Sequence, residues 1–193
     1  MDLTQGAEKH KYDRAKKMML WFGIISMIMT FGGLTSAYVV SKTRPDWLTE
    51  FDLPNAFMWS TLVIVLSSLT FILAKQSILT GNRRNASALL IGTLVLAVLF
   101  VALQFNGFTE IIAEGYYFTG SESSITTSFI YVLVLVHMAH LLAGIITLLV
   151  VIYNHFKQRY KKGQMLGIEL GATFWHFVDL MWIYLFVFLY FFR

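Results

Sequence analysis

Residues 171–193 read GATFWHFVDLMWIYLFVFLYFFR, a run of large apolar side chains interrupted near its middle by His176 and Asp179. A stretch of this length reads as a helix that crosses a bilayer, since about 20 residues at about 1.5 Å each span about 30 Å of hydrocarbon. A charged side chain at mid-bilayer costs at least about 2.5 to 3.5 kcal/mol on insertion scales, so these two residues call for a partner or a pathway.

The rest of the chain has the same character. Of its 193 residues, 57% are hydrophobic and 13% charged. Apolar runs of bilayer length recur near residues 18–41, 55–74, 86–104 and 124–153, with 166–192 as the last. The expected fold is all-α: a polytopic integral membrane five-helix bundle in a single membrane domain, residues 1–193. The first run follows the basic stretch KHKYDRAKK but exceeds the length of a signal-peptide core, and no small-residue cleavage pattern ends it. It reads as a retained anchor.

Lys and Arg set the expected orientation. Lys9, Lys11, Arg14, Lys16 and Lys17 precede the first span; Lys75, Arg83 and Arg84 lie between the second and third; Lys157, Arg159, Lys161 and Lys162 lie between the fourth and fifth. With five crossings these segments share one side, which the positive-inside rule makes the cytoplasm or an organelle's matrix. The opposite loops hold Asp46, Glu50, Asp52, Glu110, Glu114 and Glu122 against Lys42, Arg44 and Arg193. The N-terminus is therefore expected inside and the C-terminus outside. The net charge of +4 follows from this topology and gives no support to nucleic-acid binding. The absence of cysteine excludes disulfides, thiolate metal sites and iron–sulfur clusters. No Walker loop or dinucleotide fingerprint is present.

The loop KTRPDWLTEFDLP at residues 42–54 is expected along the outer interface through Trp47 and Phe51. Residues 106–123 form the longest external connection, either an extended helix end or a docking loop. Three small-xxx-small pairs, Gly33 with Ala37, Ala139 with Ala143 and Gly167 with Gly171, suit close helix packing in lipid.

Polar residues concentrate in the last two spans. His137 and His140 lie about 60° apart around one helix, as do His176 and Asp179 around the next, while Glu169 and His176 differ by about 20°. Each set occupies one face, so a polar layer between the fourth and fifth helices is expected. Three chemistries remain open for it. One is a structural hydrogen-bond network of His137, His140, Glu169, His176 and Asp179. A second is haem or copper ligation, a membrane cytochrome using His137 or His140 with His176. The third is a proton relay through the Asp and His side chains, with a proton-coupled carrier that uses Asp179 as a further alternative.

The stretch ELGATFWHFVDLMW, residues 169–182, resembles subunit III of haem-copper terminal oxidases, the cytochrome c and quinol oxidases. Glu169, Trp175, His176, Phe177, Val178, Asp179 and Trp182 match that family's pattern. His137 and His140 match its His-x-x-His in the preceding helix, with Gly144 at its small residue, and SMIMTFGGLTSAY (residues 26–38) is similar to its third helix, with Ser26, Gly33 and Ala37 in register. Trp175, Phe177, Trp182 and Gly144 are then expected as packing residues. The resemblance implies a subunit without a redox centre, metal or catalytic residue of its own, in a complex that couples oxygen reduction to proton translocation. Haem and copper would sit in the catalytic subunit I; subunit II, further respiratory subunits and phospholipid would be partners, in a bacterial plasma membrane or, as the alternative, a mitochondrial inner membrane. The five histidines fit this, being fewer than the imidazole ligands that the family's catalytic chain requires.

Two departures from the family pattern stand out. The chain begins at the family's third helix, so the helix pair that walls a lipid-filled cleft is expected to be absent or supplied by another polypeptide. The acidic residue that often follows the Ser of that helix, associated with proton uptake, is Met27 here. A thioether exchanges no proton, which leaves Glu169 as this chain's best candidate for proton delivery.

Overall fold

A computed structural model describes residues 3–45, 47, 48, 53–120, 124–160 and 164–192, with side chains from residue 10 onward. Asp46, Glu50, Phe51, Asp52, Glu122, Lys161, Lys162 and Arg193, and the side chain of Lys9, lie outside the described residues. The regular elements are five helices: α1 Leu3–Ser41, α2 Asn55–Leu79, α3 Arg83–Ala113, α4 Ile125–Phe156 and α5 Leu166–Phe192. All five are long and apolar enough to cross a membrane.

Several helices outrun the apolar stretches that mark them. α1 has 39 residues, about 58 Å at 1.5 Å each, and so continues well beyond about 30 Å of hydrocarbon through its basic start. That start holds four Lys with Arg14, Ala7 and Ala15, residues that favour helix whether or not lipid surrounds them. α3 runs on to Ala113, so the first eight residues of the expected 106–123 connection are a helix end. It stops where Gly115 takes a positive φ of 85° and the Tyr116 N–H closes back on the Ile111 carbonyl at 3.1 Å. α4 opens with Ser124 and Thr127 in a reciprocal capping box.

The topology is a ring of four helices with a fifth laid against it. α2 packs on α3, α3 on α4, α4 on α5 and α5 on α2, while α1 lies in the groove between α4 and α5 and, among the described residues, packs on neither α2 nor α3. Trp47 turns inward from the 42–54 loop, its ring edge-on to Tyr38 at 4.8 Å, and the Leu48 N–H donates to Thr126 Oγ1 at 3.0 Å, so the described part of the loop is pinned over the start of α4.

Small residues fix how closely the helices approach. A Cβ added at Gly171 would stand 2.7 Å from Val151 Cγ2, which brings α5 onto α4, and one at Gly144 would meet the Trp175 ring at 3.4 Å. Gly167 abuts Tyr160. The other two expected pairs point elsewhere: Gly33, Ala37, Ala139 and Ala143 are exposed, and nothing approaches a Cβ at Gly33 within 4 Å. Spacing marks a face on which backbones can approach, but it leaves open which neighbour, if any, fills it.

Val151 is β-branched and has little rotamer freedom in a helix, so it cannot swing away from a methyl group at position 171. Gly171→Ala should therefore lose about 1–3 kcal/mol to overpacking. Gly33→Ala, in open space, should be neutral or gain up to about 1 kcal/mol from helix propensity. Reversible unfolding of the two purified variants in denaturing detergent compares them directly; equal stabilities would refute the close α4–α5 approach.

Candidate functional site

The polar and aromatic residues of α5 are set by one seam. Trp175 and Trp182 are the two largest fully buried side chains, and a buried indole N–H needs an acceptor. Both find one on α2: Trp175 Nε1 donates to Ser67 Oγ at 3.2 Å and Trp182 Nε1 to Thr61 Oγ1 at 3.0 Å. Between them, His176 Nδ1 meets Ser68 Oγ at 2.6 Å. Thr61 in turn donates to the Phe57 carbonyl at 2.8 Å, so its hydroxyl is used in both directions. α5 therefore presents its motif chiefly to α2, through hydroxyls at 61, 67 and 68.

Trp182 is the hub of the interior. It contacts Phe57 of α2 and Phe100 of α3 edge-on, at centroid distances of 5.7 and 5.2 Å, and His137 of α4 at 5.2 Å. Trp175 lies against Phe71 of α2 and over Gly144 of α4. Phe177 is half-buried against the edge of the same core. The packing residues thus join the four ring helices.

The expected site residues go to separate partners. His137 is completely buried among Phe31, Phe100 and Trp182, and neither ring nitrogen has a hydrogen-bond partner in the chain. His140 donates from Nδ1 to the carbonyl of Val136 in its own helix at 2.7 Å and leans on Phe31 of α1. Asp179 is 2% exposed and both its carboxyl oxygens lack a hydrogen-bond partner; Ser68 also comes near it, without a regular hydrogen bond. Glu169 sits at the start of α5, 40% exposed, paired with Lys17 of α1 at 3.2 Å. No hydrogen bond joins these five residues to one another. The polar layer expected between α4 and α5 is thus displaced to α2 and α5, because Gly171 and Gly144 bring α4 and α5 too close for polar side chains, while the serines and threonines of α2 offer short acceptors.

Haem ligation finds no support in this arrangement: His137 is walled in by aromatic rings and His176 turns to α2. Among the described residues no three His, Asp or Glu side chains gather as a metal ion would need. Met27, at the position of the family's acid, is half-buried on α1.

The hydroxyl partners are what sequence reasoning missed. Besides the seam, Gln104 Nε2 of α3 donates to Ser60 Oγ of α2 at 3.0 Å, Thr70 meets Thr93 at 2.9 Å, and Ser87 Oγ meets His155 Nε2 at 2.9 Å. A signal was present. Ser60 and Ser67, and Thr61 and Ser68, recur at seven residues in α2, matching the spacing of Trp175 and Trp182 in α5.

Comparison with known proteins gives a consistent picture. The profile of the family described as cytochrome c oxidase subunit III matches residues 5–193. Cytochrome c oxidase subunit 3 of Loxodonta africana is 32% identical over 183 residues, covering 86% of this chain and 66% of that protein. The protein of the same name from Oryctolagus cuniculus is 28% identical with the same coverage, and that of Latimeria chalumnae is 30% identical over 149 residues, covering 76% of this chain and 54% of its own length. The chain thus spans about two thirds or less of the length of these relatives.

A double-mutant cycle tests the seam. Ser67→Ala and Trp175→Phe each remove one end of the same hydrogen bond, and their unfolding free energies should show a coupling of about 0.5–1.5 kcal/mol. Ser67→Ala with Trp182→Phe should be additive to within about 0.5 kcal/mol. Equal coupling in both cycles would refute the pairing.

Proposed function

The chain belongs to the cytochrome c oxidase subunit III family, and on that premise we propose that it serves as the non-redox subunit III of a respiratory terminal oxidase, holding the catalytic subunit in the membrane. The observation that carries this is the match over residues 5–193, whose most specific residues, Trp175, His176, Asp179 and Trp182, lie on the buried α2–α5 seam or beside it. Haem and copper belong to the catalytic subunit in this reading. A bacterial plasma membrane is the home we infer for it, with the mitochondrial inner membrane as the alternative.

Roles for the polar residues follow from their partners. His176 ties α5 to α2, a structural role, and Glu169 pairs with Lys17 of α1 at the start of α5. His140 is turned back on its own helix and His137 fills space among aromatic rings. Support for proton uptake falls to Glu169, which stands at the exposed start of α5, while Met27 has no exchangeable proton.

The docking face lies on α1. Ile24, Phe31, Thr35 and Tyr38 are buried against the bundle, whereas Gly23, Ser26, Thr30, Gly33 and Ala37 form an exposed line about 130° around the same helix. In lipid, where apolar burial gives helices no net drive, such a line of small residues suits close approach by another helix. A transmembrane helix of a partner subunit fits it.

With an affinity tag on the chain, extraction in mild detergent should bring a haem absorption band and oxygen consumption with it. Gly33→Leu, whose side chain meets open space within the chain, should leave the chain folded and membrane-inserted while the haem band no longer co-elutes. Recovery of the chain alone from native membranes would overturn the oxidase reading, and a fully assembled Gly33→Leu complex would overturn the docking face. A C-terminal reporter that is active only in the cytoplasm should be silent, since the basic residues of α1, the α2–α3 turn and the α4–α5 connection share the inner side.

A further inference from the structure

Asp179 is the buried titratable group that the seam between α2 and α5 leaves over. It is 2% exposed, neither carboxyl oxygen has a regular hydrogen bond, and no cation pairs with it among the described residues. One hydroxyl comes near it, that of Ser68, close to the middle of α2. The same hydroxyl meets His176 Nδ1 at 2.6 Å, with the imidazole ring lying against Phe71. A carboxyl and an imidazole thus converge on one oxygen.

What Ser68 can do follows from comparison with its neighbours on α2. Ser60 and Thr61 return their protons to the Phe57 carbonyl and Thr70 returns its own to that of Ser67, whereas Ser68 makes no such bond among the described residues. Its O–H is free to donate across the interface. A hydroxyl has one proton and two lone pairs, so Ser68 can donate to one partner and accept from another at the same time.

Charge and donor count decide the direction. An ionised carboxylate without a cation costs far more in a dry layer than the neutral acid does. The one charged residue of α2, Lys75 two turns along the same face, is itself a cation, so α2 offers nothing to stabilise an imidazolium. With both groups neutral, two arrangements remain. If Nδ1–H donated to Ser68 and Ser68 to the acid's carbonyl oxygen, the acid's O–H would be left buried without an acceptor. In the reverse arrangement only a carbonyl oxygen goes unpaired, which buried sites tolerate better than an orphaned donor.

We infer that Asp179 is held as the neutral acid and donates to Ser68 Oγ, and that Ser68 donates in turn to Nδ1 of a neutral His176 whose proton is on Nε2. The first of these bonds requires the carboxyl to turn toward Ser68, which already stands near it. Ser68 is then a positioning residue: it keeps a proton on a carboxyl inside the membrane and fixes the tautomer of the neighbouring ring. The unit is built from α2 and α5 alone and does not depend on the oxidase reading.

The test uses the full chain, purified in detergent at neutral pH and read by infrared difference spectroscopy and by nitrogen-15 NMR of its histidines. Asp179→Asn, whose amide donates as the acid does, should fold like the parent and lose one carbonyl band of a protonated carboxyl. Ser68→Ala should move that band to higher frequency and let the His176 proton distribute over both ring nitrogens. Ser68→Thr, which keeps the hydroxyl, should restore both signals, a pattern that a packing role alone does not produce. If Asp179→Asn fails to fold, the two Ser68 variants read the same band without touching the carboxyl. The inference is overturned if Asp179→Asn removes no protonated-carboxyl band, if Ser68→Ala leaves the band in place, or if His176 of the parent chain carries its proton on Nδ1.

Discussion

The indole N–H groups of Trp175 and Trp182 are the constraint around which this bundle is arranged. Between helices in lipid the hydrophobic effect gives no net attraction, so close packing and interhelical hydrogen bonds must select the neighbours. Two fully buried tryptophans on one face of α5 satisfy both needs at once if the facing helix offers hydroxyl acceptors two turns apart. α2 does so with Ser67 and Thr61. Once α5 is committed to α2, its opposite side is free to meet α4, and the glycines at 144 and 171 let it do so at van der Waals distance. α1 then has only the groove between α4 and α5 to occupy.

Among the described residues several buried polar groups are left without a hydrogen-bond partner, His137 and Asp179 of the last two helices among them. His137 lies against the Trp182 ring and Asp179 is buried on α5, and neither makes a hydrogen bond among the described residues. Each such group costs about 1–3 kcal/mol if nothing compensates. Ser68, which comes near Asp179, is already given to His176. The polar interior is thus organised by competition for a few short acceptors on α2, and the tryptophans and His176 take them. Among the described residues no direct hydrogen bond joins His137, His176 and Asp179 to one another.

Much of the fold could be read from the sequence because bilayer thickness is a strong ruler: each apolar run appears as a helix. The ends were less legible. Nothing in the hydropathy of residues 3–17 indicates that α1 continues through them, since Lys and Ala support a helix in water as readily as hydrocarbon supports the rest. Within the candidate site, helical spacing placed Glu169, His176 and Asp179 on one face, but a face has no address. Only the facing helix decides whether it is α2 or α4, and the deciding residues on α2 were serines and threonines that could equally have bonded to their own helix's carbonyls. Thr61 does both. Glu169 found its partner, Lys17, in a basic stretch that sequence reasoning had used only for orientation.

α1 carries two exposed faces of different character, and the difference is informative. One bears Trp21, Phe22, Ile25 and Met29, whose long side chains fill the space that lipid tails would otherwise occupy. The other, from Gly23 to Ala37, is almost without side chains. A lipid-facing helix gains nothing from a bare backbone: Gly costs helix stability, and a shallow groove offers acyl chains poorer contact than Leu or Phe would. The bare face is useful only where another helix comes near enough for backbones to touch. The buried line of α1 already serves α4 and α5, so the second line is free to receive a further helix, as the docking face proposed for α1 requires.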